Sequence, residues 1–464
     1  MKKLYLIAAT CAAAAAQAEV APAAPFAHNM VLQREMRVPV WGKAKPGEDV
    51  KVAFAGQVKT CKAGADGAWR VELDPMPACK EPRTLEIGGN SLTNVLVGEV
   101  WFASGQSNME DPILSDNSRY RDGWGQTMTA LARRPGIRFY TSPQISSKTP
   151  NLDRAIVWRD FSAKTFKDLD ARVPICLWTK GLVSAVGFYY ALAIHDATGI
   201  PVGLVDVSWG GARLEPWIAP SGDMWKGMVA AFAPMANRGF IWYQGCSNAK
   251  DGAAYAGKMH TLYNSWAKAF ENPALKLYFV QLAPFSKSWF DVQLAQARFA
   301  AEEKNAGMAV TCDLGNAWDI HPNDKEPVAR RLALHALKDV HGFADVIADS
   351  PTLKTCKAGD GGRVVMTFDN ATSWYGYTPN NAYPAGFEVA GDDGVFHPAG
   401  IANALAERGR KGKVFVGREL VVVSDKVKNP RRVRYLFSKP WTGSLYASDS
   451  GLPVGPFEAA VATR

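Results

Sequence analysis

The hydrophobic pattern of the chain changes character twice. Between Pro25 and Leu96, apolar and polar residues alternate in short runs broken by turn residues, at 37–41, 49–54, 69–73 and 84–87. A period of two turns one side of each run inward, so this stretch predicts a small all-β domain. From Val100 the apolar residues come instead in short unbroken runs, at 100–103, 202–207, 240–243, 277–282 and 309–312. Strands covered on both faces need no polar side, and helical patterns fill the intervals, so this part predicts an α/β architecture around a mostly parallel sheet. One helix runs from Ser184, whose hydroxyl suits the N-cap, to Gly199, which suits the C′ position. A second carries Tyr255, Met259, Leu262, Trp266 and Phe270 on one face, and a third spans 324–337 with Pro327 in its first turn. Beyond Ala344 the β patterning returns, at 363–368, 413–416 and 420–423, and predicts a closing β-rich region.

The expected division is 19–98 for an N-terminal β-sandwich-like domain, 99–344 for the α/β domain and 345–464 for a C-terminal β-rich domain. Residues 1–18 read as a cleaved export signal. Lys2 and Lys3 precede an apolar stretch from Leu4 to Ala16, and Ala16-Gln17-Ala18 has the small-x-small form of a cleavage site. That stretch is shorter than the roughly 20 apolar residues of a bilayer span. Thr10 speaks against lipid attachment at Cys11, where a small residue is expected to precede the cysteine. The mature chain is therefore expected to be secreted or periplasmic, with no membrane span.

Composition narrows the picture further. The 464 residues, 47% hydrophobic and 21% charged, suffice for the ordinary cores of two or three domains. A net charge of +9 raises the question of a polyanion, but Lys and Arg are scattered. The densest basic stretches, 408–413 and 426–434, sit in turn-like parts of a β-rich region, so no nucleic-acid partner is expected. Export permits disulfides, and Cys61 and Cys79, in one small β-patterned region, are the expected pair. No spacing of Cys and His resembles a zinc site.

In an open parallel sheet, ligands bind beyond the carboxyl ends of the strands. Four such places are polar and mostly glycine-containing: Ser104-Gly-Gln-Ser-Asn-Met109, Ser208-Trp-Gly-Gly211, Gln244-Gly-Cys-Ser-Asn248, and Asp313-Leu-Gly leading to Asp319-Ile-His-Pro322. Together they supply the parts of an acyl transfer: a hydroxyl nucleophile, an imidazole base, an acid to orient it and donors for an oxyanion. Ser107 stands in a tight Gly-containing turn, and His321 precedes a helix and has an acidic neighbour and a following proline. Gly210 or Gly211 can offer a backbone N–H, and Gln244 or Asn248 a side-chain amide. Each has a plainer reading: a turn serine, a structural histidine, a tightened connection, or, for Asn248, the N-cap of the following helix. Four such turns at one sheet edge favour the chemical reading.

These turns also resemble a known family. Val97-Gly-Glu-Val-Trp-Phe-Ala-Ser-Gly-Gln-Ser-Asn-Met-Glu110, Arg238-Gly-Phe-Ile-Trp-Tyr-Gln-Gly-Cys-Ser-Asn-Ala249 and Asp319-Ile-His-Pro-Asn-Asp-Lys325 are similar to the signature blocks of sialate O-acetylesterases and related carbohydrate acetylesterases. Asn29-Met-Val-Leu-Gln-Arg34 and Gly451-Leu-Pro-Val-Gly-Pro-Phe457 resemble that family's flanking β regions. The resemblance implies a three-layer α/β/α SGNH-hydrolase domain flanked by N- and C-terminal β-rich domains, with no metal and no organic cofactor. It implies a serine esterase acting on O-acetylated sialic acid or another acetylated glycan. Carried over residue by residue, Ser107 is the nucleophile and His321 the base. The Ser107 N–H, Gly211 and an amide from the third block, Gln244 or Asn248, form the oxyanion hole.

One position departs from the family pattern. Where relatives usually read Gln-Gly-Glu, this chain reads Gln244-Gly245-Cys246. A thiol cannot replace a carboxylate behind the histidine, so Asp319 is the substitute candidate and Asp313 the second. Cys246 itself is read as a small buried filler rather than a nucleophile. The departure admits a second function, a catalytically weakened glycan-binding protein on the esterase scaffold. A third reading keeps the chemistry and changes the substrate to acetylated xylan or another polysaccharide. Trp209, Trp217, Trp242 and Tyr243 are candidates to stack on sugar or to fill the core. Arg213 is placed either to meet a sugar carboxylate or to make a surface salt bridge.

Overall fold

The computed structural model describes residues 20–113, 134–160, 183–286, 289–315, 318–377, 386–403, 405–406, 413–437 and 445–463; the expected export signal lies outside them. One 16-residue strand, β1 (Asn90–Gly105), organises the part that carries the chemistry. Its first half pairs antiparallel with Cys79–Ile87 and parallel with Val31–Gln33. Its second half lies in the middle of a parallel array with β2 (Ile137–Thr141), β3 (Val202–Asp206), β4 (Gly239–Tyr243), β5 (Lys276–Val280) and β6 (Ala306–Ala309). The order across that array is β2-β3-β1-β4-β5-β6, and the short strand Arg159–Asp160 adds antiparallel to the β2 edge. The position between 98 and 99, where a domain boundary was expected, therefore falls inside a continuous strand.

The unbroken apolar runs have the cause inferred for them. Every residue of β3 and β4 is buried. Among the described residues, four helices of three turns or more accompany the sheet: α1 (Ala185–Thr198), α2 (Tyr255–Ala269), α3 (Phe290–Glu302) and α4 (Lys325–Asp339). Neighbouring residues of β1 show where they sit. Trp101 meets Tyr190 of α1 edge-on at 5.3 Å, whereas Phe102 meets Trp266 of α2 at 6.1 Å. Successive side chains of a strand point to opposite faces, so α1 and α2 cover opposite sides of the sheet. α4 packs on α1, and α3 on α2. The capping residues of α1 act as expected: Ser184 Oγ accepts the Gly187 N–H at 3.0 Å, and Gly199 follows as a left-handed C-cap.

Two features differ from the sequence expectations, and a third, helix α3, is not foreseen in the sequence. The last parallel strand ends at Ala309 instead of covering 309–312, because Val310 and Cys312 are buried in a different core, that of the C-terminal β region. Helix α3 carries no clear apolar stripe, since its inner face buries Gln293 and Gln296. Their amides serve the carbonyls of Leu282, Gln244 and Val280. Cys61 and Cys79 are both free thiols. Cys61 is level with Val50, which lies near the Ile87 end of strand Cys79–Ile87, so the two cysteines stand at opposite ends of that strand.

The N-terminal strands share one continuous core with the parallel array, from Val20 to Ala336. A buried ion cluster marks their junction: Glu99 of β1 accepts from Arg34, Arg238 and Gln33. The C-terminal region has its own core around Val364, Met366, Trp374, Leu420, Val422 and Tyr435, inside a seven-stranded and a four-stranded antiparallel sheet. No described helix is long and apolar enough to cross a membrane.

Candidate active site

β1 delivers Ser107 to the carboxyl edge of the array, at the start of the helical turn Ser107–Glu110. The preceding residue ties this turn to its neighbour. Gln106 gives its N–H to the Tyr243 carbonyl at 3.0 Å, and its side-chain oxygen accepts the N–H groups of Gly245 and Ser247 at 3.1 and 3.3 Å. On the other side runs the Trp209–Gly211 turn, where Trp209 N–H reaches the Gly105 carbonyl at 3.2 Å. A Cβ on Gly210 would stand 3.6 Å from Ser107 Cβ, an ordinary contact, and 2.7 Å from Glu110 Oε2, so a side chain there would have to displace the Glu110 carboxylate. The Gly210 N–H is donated to Glu110. Gly211 adopts φ 73°, and neither its N–H nor that of Ser107 has an acceptor among the described residues.

The loop before α4 brings the base. His321 Nε2 lies 2.9 Å from Ser107 Oγ although 214 positions separate them in sequence. For the hydroxyl to donate, Nε2 must be unprotonated, which puts the ring proton on Nδ1. Nδ1 faces Asp319 Oδ1 at 3.4 Å, and the same oxygen accepts the His321 backbone N–H at 2.9 Å. The Asp319 side chain is half exposed, so its contact with the ring is a solvated charge pair, longer than a good hydrogen bond. Asp313, the second candidate, is taken: Arg331 grips both its oxygens, at 2.7 and 2.6 Å.

Two side chains that the sequence reading did not single out join the nucleophile turn to the histidine loop. Asn108 donates to the Ile320 carbonyl at 3.0 Å. Lys325, fully buried at the start of α4, donates to Asn108 Oδ1 at 2.8 Å and to the Pro322 carbonyl at 2.6 Å, with Asp111 at 3.5 Å as counter-charge. Both residues belong to the motif blocks, but their meeting across the fold leaves no periodic signal in the sequence.

Several expected contacts are made elsewhere. The Gln244 amide donates to Asn248 Oδ1 at 2.7 Å and to the Ala212 carbonyl at 3.1 Å. Asn248 turns its own NH₂ to Glu215 and Asp251, while its oxygen accepts the Leu214 N–H at 3.0 Å. Neither amide is left for an oxyanion, and Asn248 does not cap α2. Trp217, Trp242 and Tyr243 are fully buried core residues; Trp209 alone of the four aromatics is half-buried. The Arg213 guanidinium is engaged by Glu215, Asp251 and the Ser247 carbonyl, which is the salt-bridge alternative. Burial pushes the Cys246 thiol up to about 12, so it is a neutral filler and not a thiolate.

Two carboxylates stand behind the nucleophile, Glu110 partly buried and Asp206 buried. Burial raises Glu110 to about 7, against the pull of the Gly210 N–H, and Asp206 and Asp111 add to the rise. Burial likewise raises Asp206 to about 6, although it accepts from Ser208 and from the Ser184 N–H. Among the described residues, no cluster of three or more His, Cys, Asp or Glu side chains could hold a metal ion.

With this geometry in view, the relatives are informative. The chain is 28% identical to human sialate O-acetylesterase over 386 residues, 70% of this chain and 72% of that protein. It is 24% identical to the mouse sialate O-acetylesterase, over 73% of this chain and 77% of the other. A carbohydrate acetylesterase of known structure from Xanthomonas citri superposes with a TM-score of 0.80 at 29% identity, covering 95% of this chain and 99% of that one. Residues 97–334 match the family described as carbohydrate esterase, sialic acid-specific acetylesterase. They contain the three signature blocks at 97–110, 238–249 and 319–325, and the chain belongs to that family of carboxylic ester hydrolases.

Proposed function

We propose that this carbohydrate acetylesterase removes O-acetyl groups from sialic acids or other acetylated glycans by acyl transfer through Ser107. Ser107 Oγ attacks the acetyl carbonyl while His321 Nε2 takes its proton. Asp319 favours the Nδ1–H tautomer and the imidazolium that results. The negative oxygen of the tetrahedral intermediate is received by the free N–H groups of Ser107 and Gly211. Collapse expels the sugar oxygen, which takes the proton from His321, and leaves an acetyl-serine. Water then attacks the acetyl-serine, giving its proton to His321, and acetate departs with Ser107 restored.

The observation that carries this reading is the 2.9 Å contact between Ser107 and His321, in a chain of this family. The helices on both sides of the parallel array support a three-layer α/β/α catalytic unit within 99–344, whose sheet and core the β-rich 19–98 segment continues, followed by a β-rich unit at 345–464. The chain is proposed to act outside the cytoplasm, on the strength of the export-like first 18 residues. The test is acetate release from an O-acetylated sialoside and from a small aryl acetate. Ser107→Ala should lower both by about 10⁴-fold or more. Activity surviving that change would overturn the assignment.

A further inference from the structure

The loop that carries His321 also carries Trp318, 88% exposed, while every other described tryptophan is buried or half-buried. Large apolar side chains left in water are informative, because the fold gains from burying them. Trp318 is joined directly to Asp319, whose carboxylate touches both the backbone N–H and the ring of His321. Three residues of extended chain span at most about 11 Å, so the Trp318 backbone lies within that distance of the His321 backbone, on the same loop. The C–H-rich face of a pyranose fits the electron-rich face of an indole, and an exposed, flat side chain on the histidine loop of a sugar esterase can offer that surface.

We infer that Trp318 is a stacking platform for the pyranose ring next to the acetylated one, so that the preferred substrate is an acetylated oligosaccharide or glycan chain and not a free acetylated monosaccharide. The inference rests on the reading of Ser107 and His321 as a sugar deacetylase. Trp318 lies on a loop and lends the core little, so its replacement leaves the fold intact.

Two measurements separate the inference from that reading. In the first, Trp318→Ala is compared with the wild type on an acetylated oligosaccharide, each rate being read against the same protein's rate on an aryl acetate. The oligosaccharide-to-aryl ratio of kcat/KM should fall about tenfold, through KM, and Trp318→Phe should restore most of it. Equal losses on both substrates would overturn the platform and make Trp318 a support of the histidine loop. In the second, oligosaccharide affinity is measured in the Ser107→Ala background, where turnover plays no part. Adding Trp318→Ala should weaken binding by a similar factor, and unchanged affinity would overturn the inference. A wild type that hydrolyses aryl acetate but no acetylated sugar would count against the deacetylase reading, whereas the affinity measurement would still judge Trp318.

Discussion

Ser107 and His321 meet at 2.9 Å, yet the protein holds them by different means. The serine stands two residues beyond a strand buried from Val95 to Gly105, and backbone hydrogen bonds on both sides fix its turn: Gln106 and Gly105 to the third and second turns. The histidine hangs from an irregular segment between β6 and α4, half exposed, with Asp319 half exposed beside it. The sheet positions the nucleophile, and individual side chains position the base. Precision on the base side therefore depends on a few residues, above all Lys325 and Asn108, which reach across the fold.

The sharpest way to break this asymmetry is to remove the buried cation. Lys325→Met should lower kcat on an aryl acetate about 100-fold with KM little changed, because a displacement near 1 Å at the base is worth that much. The same change leaves Asp111 without its ammonium in a buried site and should cost about 3 kcal/mol of stability, read from a urea titration. A variant that loses stability but keeps kcat would show that the staple serves folding alone and that the histidine loop is held by something else.

Asp319 tests the exposed side of the comparison. In a triad whose acid is buried against the imidazole, removing the charge costs about 10⁴ in rate. Here the carboxylate is half exposed and 3.4 Å from Nδ1, so Asp319→Asn should lower kcat only about tenfold. A loss above a thousandfold would mean that the loop closes on the bound substrate and brings Asp319 into full hydrogen-bond contact.

The same contrast explains what could be read in the sequence. Strand runs 202–207 and 240–243, the Ser184 and Gly199 caps and the Ser107 turn are local signals, and the fold keeps them. Where distant parts decide, local pattern misleads or is silent. Val310 and Cys312 read as strand but belong to the C-terminal core. Gln244 and Asn248 read as oxyanion donors, yet the Gln244 amide donates to Asn248 Oδ1 and the Asn248 amide to Glu215 and Asp251. Glu110, Asn108 and Lys325 stand in the motif blocks with nothing in their spacing to say what each will touch. Arg213 reads either as a contact for a sugar carboxylate or as a surface salt bridge, and Asp251, 38 positions later, decides for the second.

The smallest expected effect concerns the partly buried acid on the nucleophile side. Glu110 is raised from the usual 4.5 to about 7 in the folded protein, where it accepts the N–H of Gly210 beside Ser107. Between those values the folded chain keeps a proton that the unfolded chain has released. More protons bound in the native state make stability fall as pH rises through that window. Asp206, raised from 3.8 to about 6, adds a slope of the same sign at lower pH. Glu110→Gln removes the first titration and keeps an oxygen for Gly210, so unfolding midpoints measured between pH 5 and about 7 should decline less steeply than in the wild type, with the Asp206 part remaining. An unchanged slope would mean that Glu110 keeps its ordinary acidity in the folded protein, and burial would then distinguish the nucleophile side less from the histidine loop it is contrasted with.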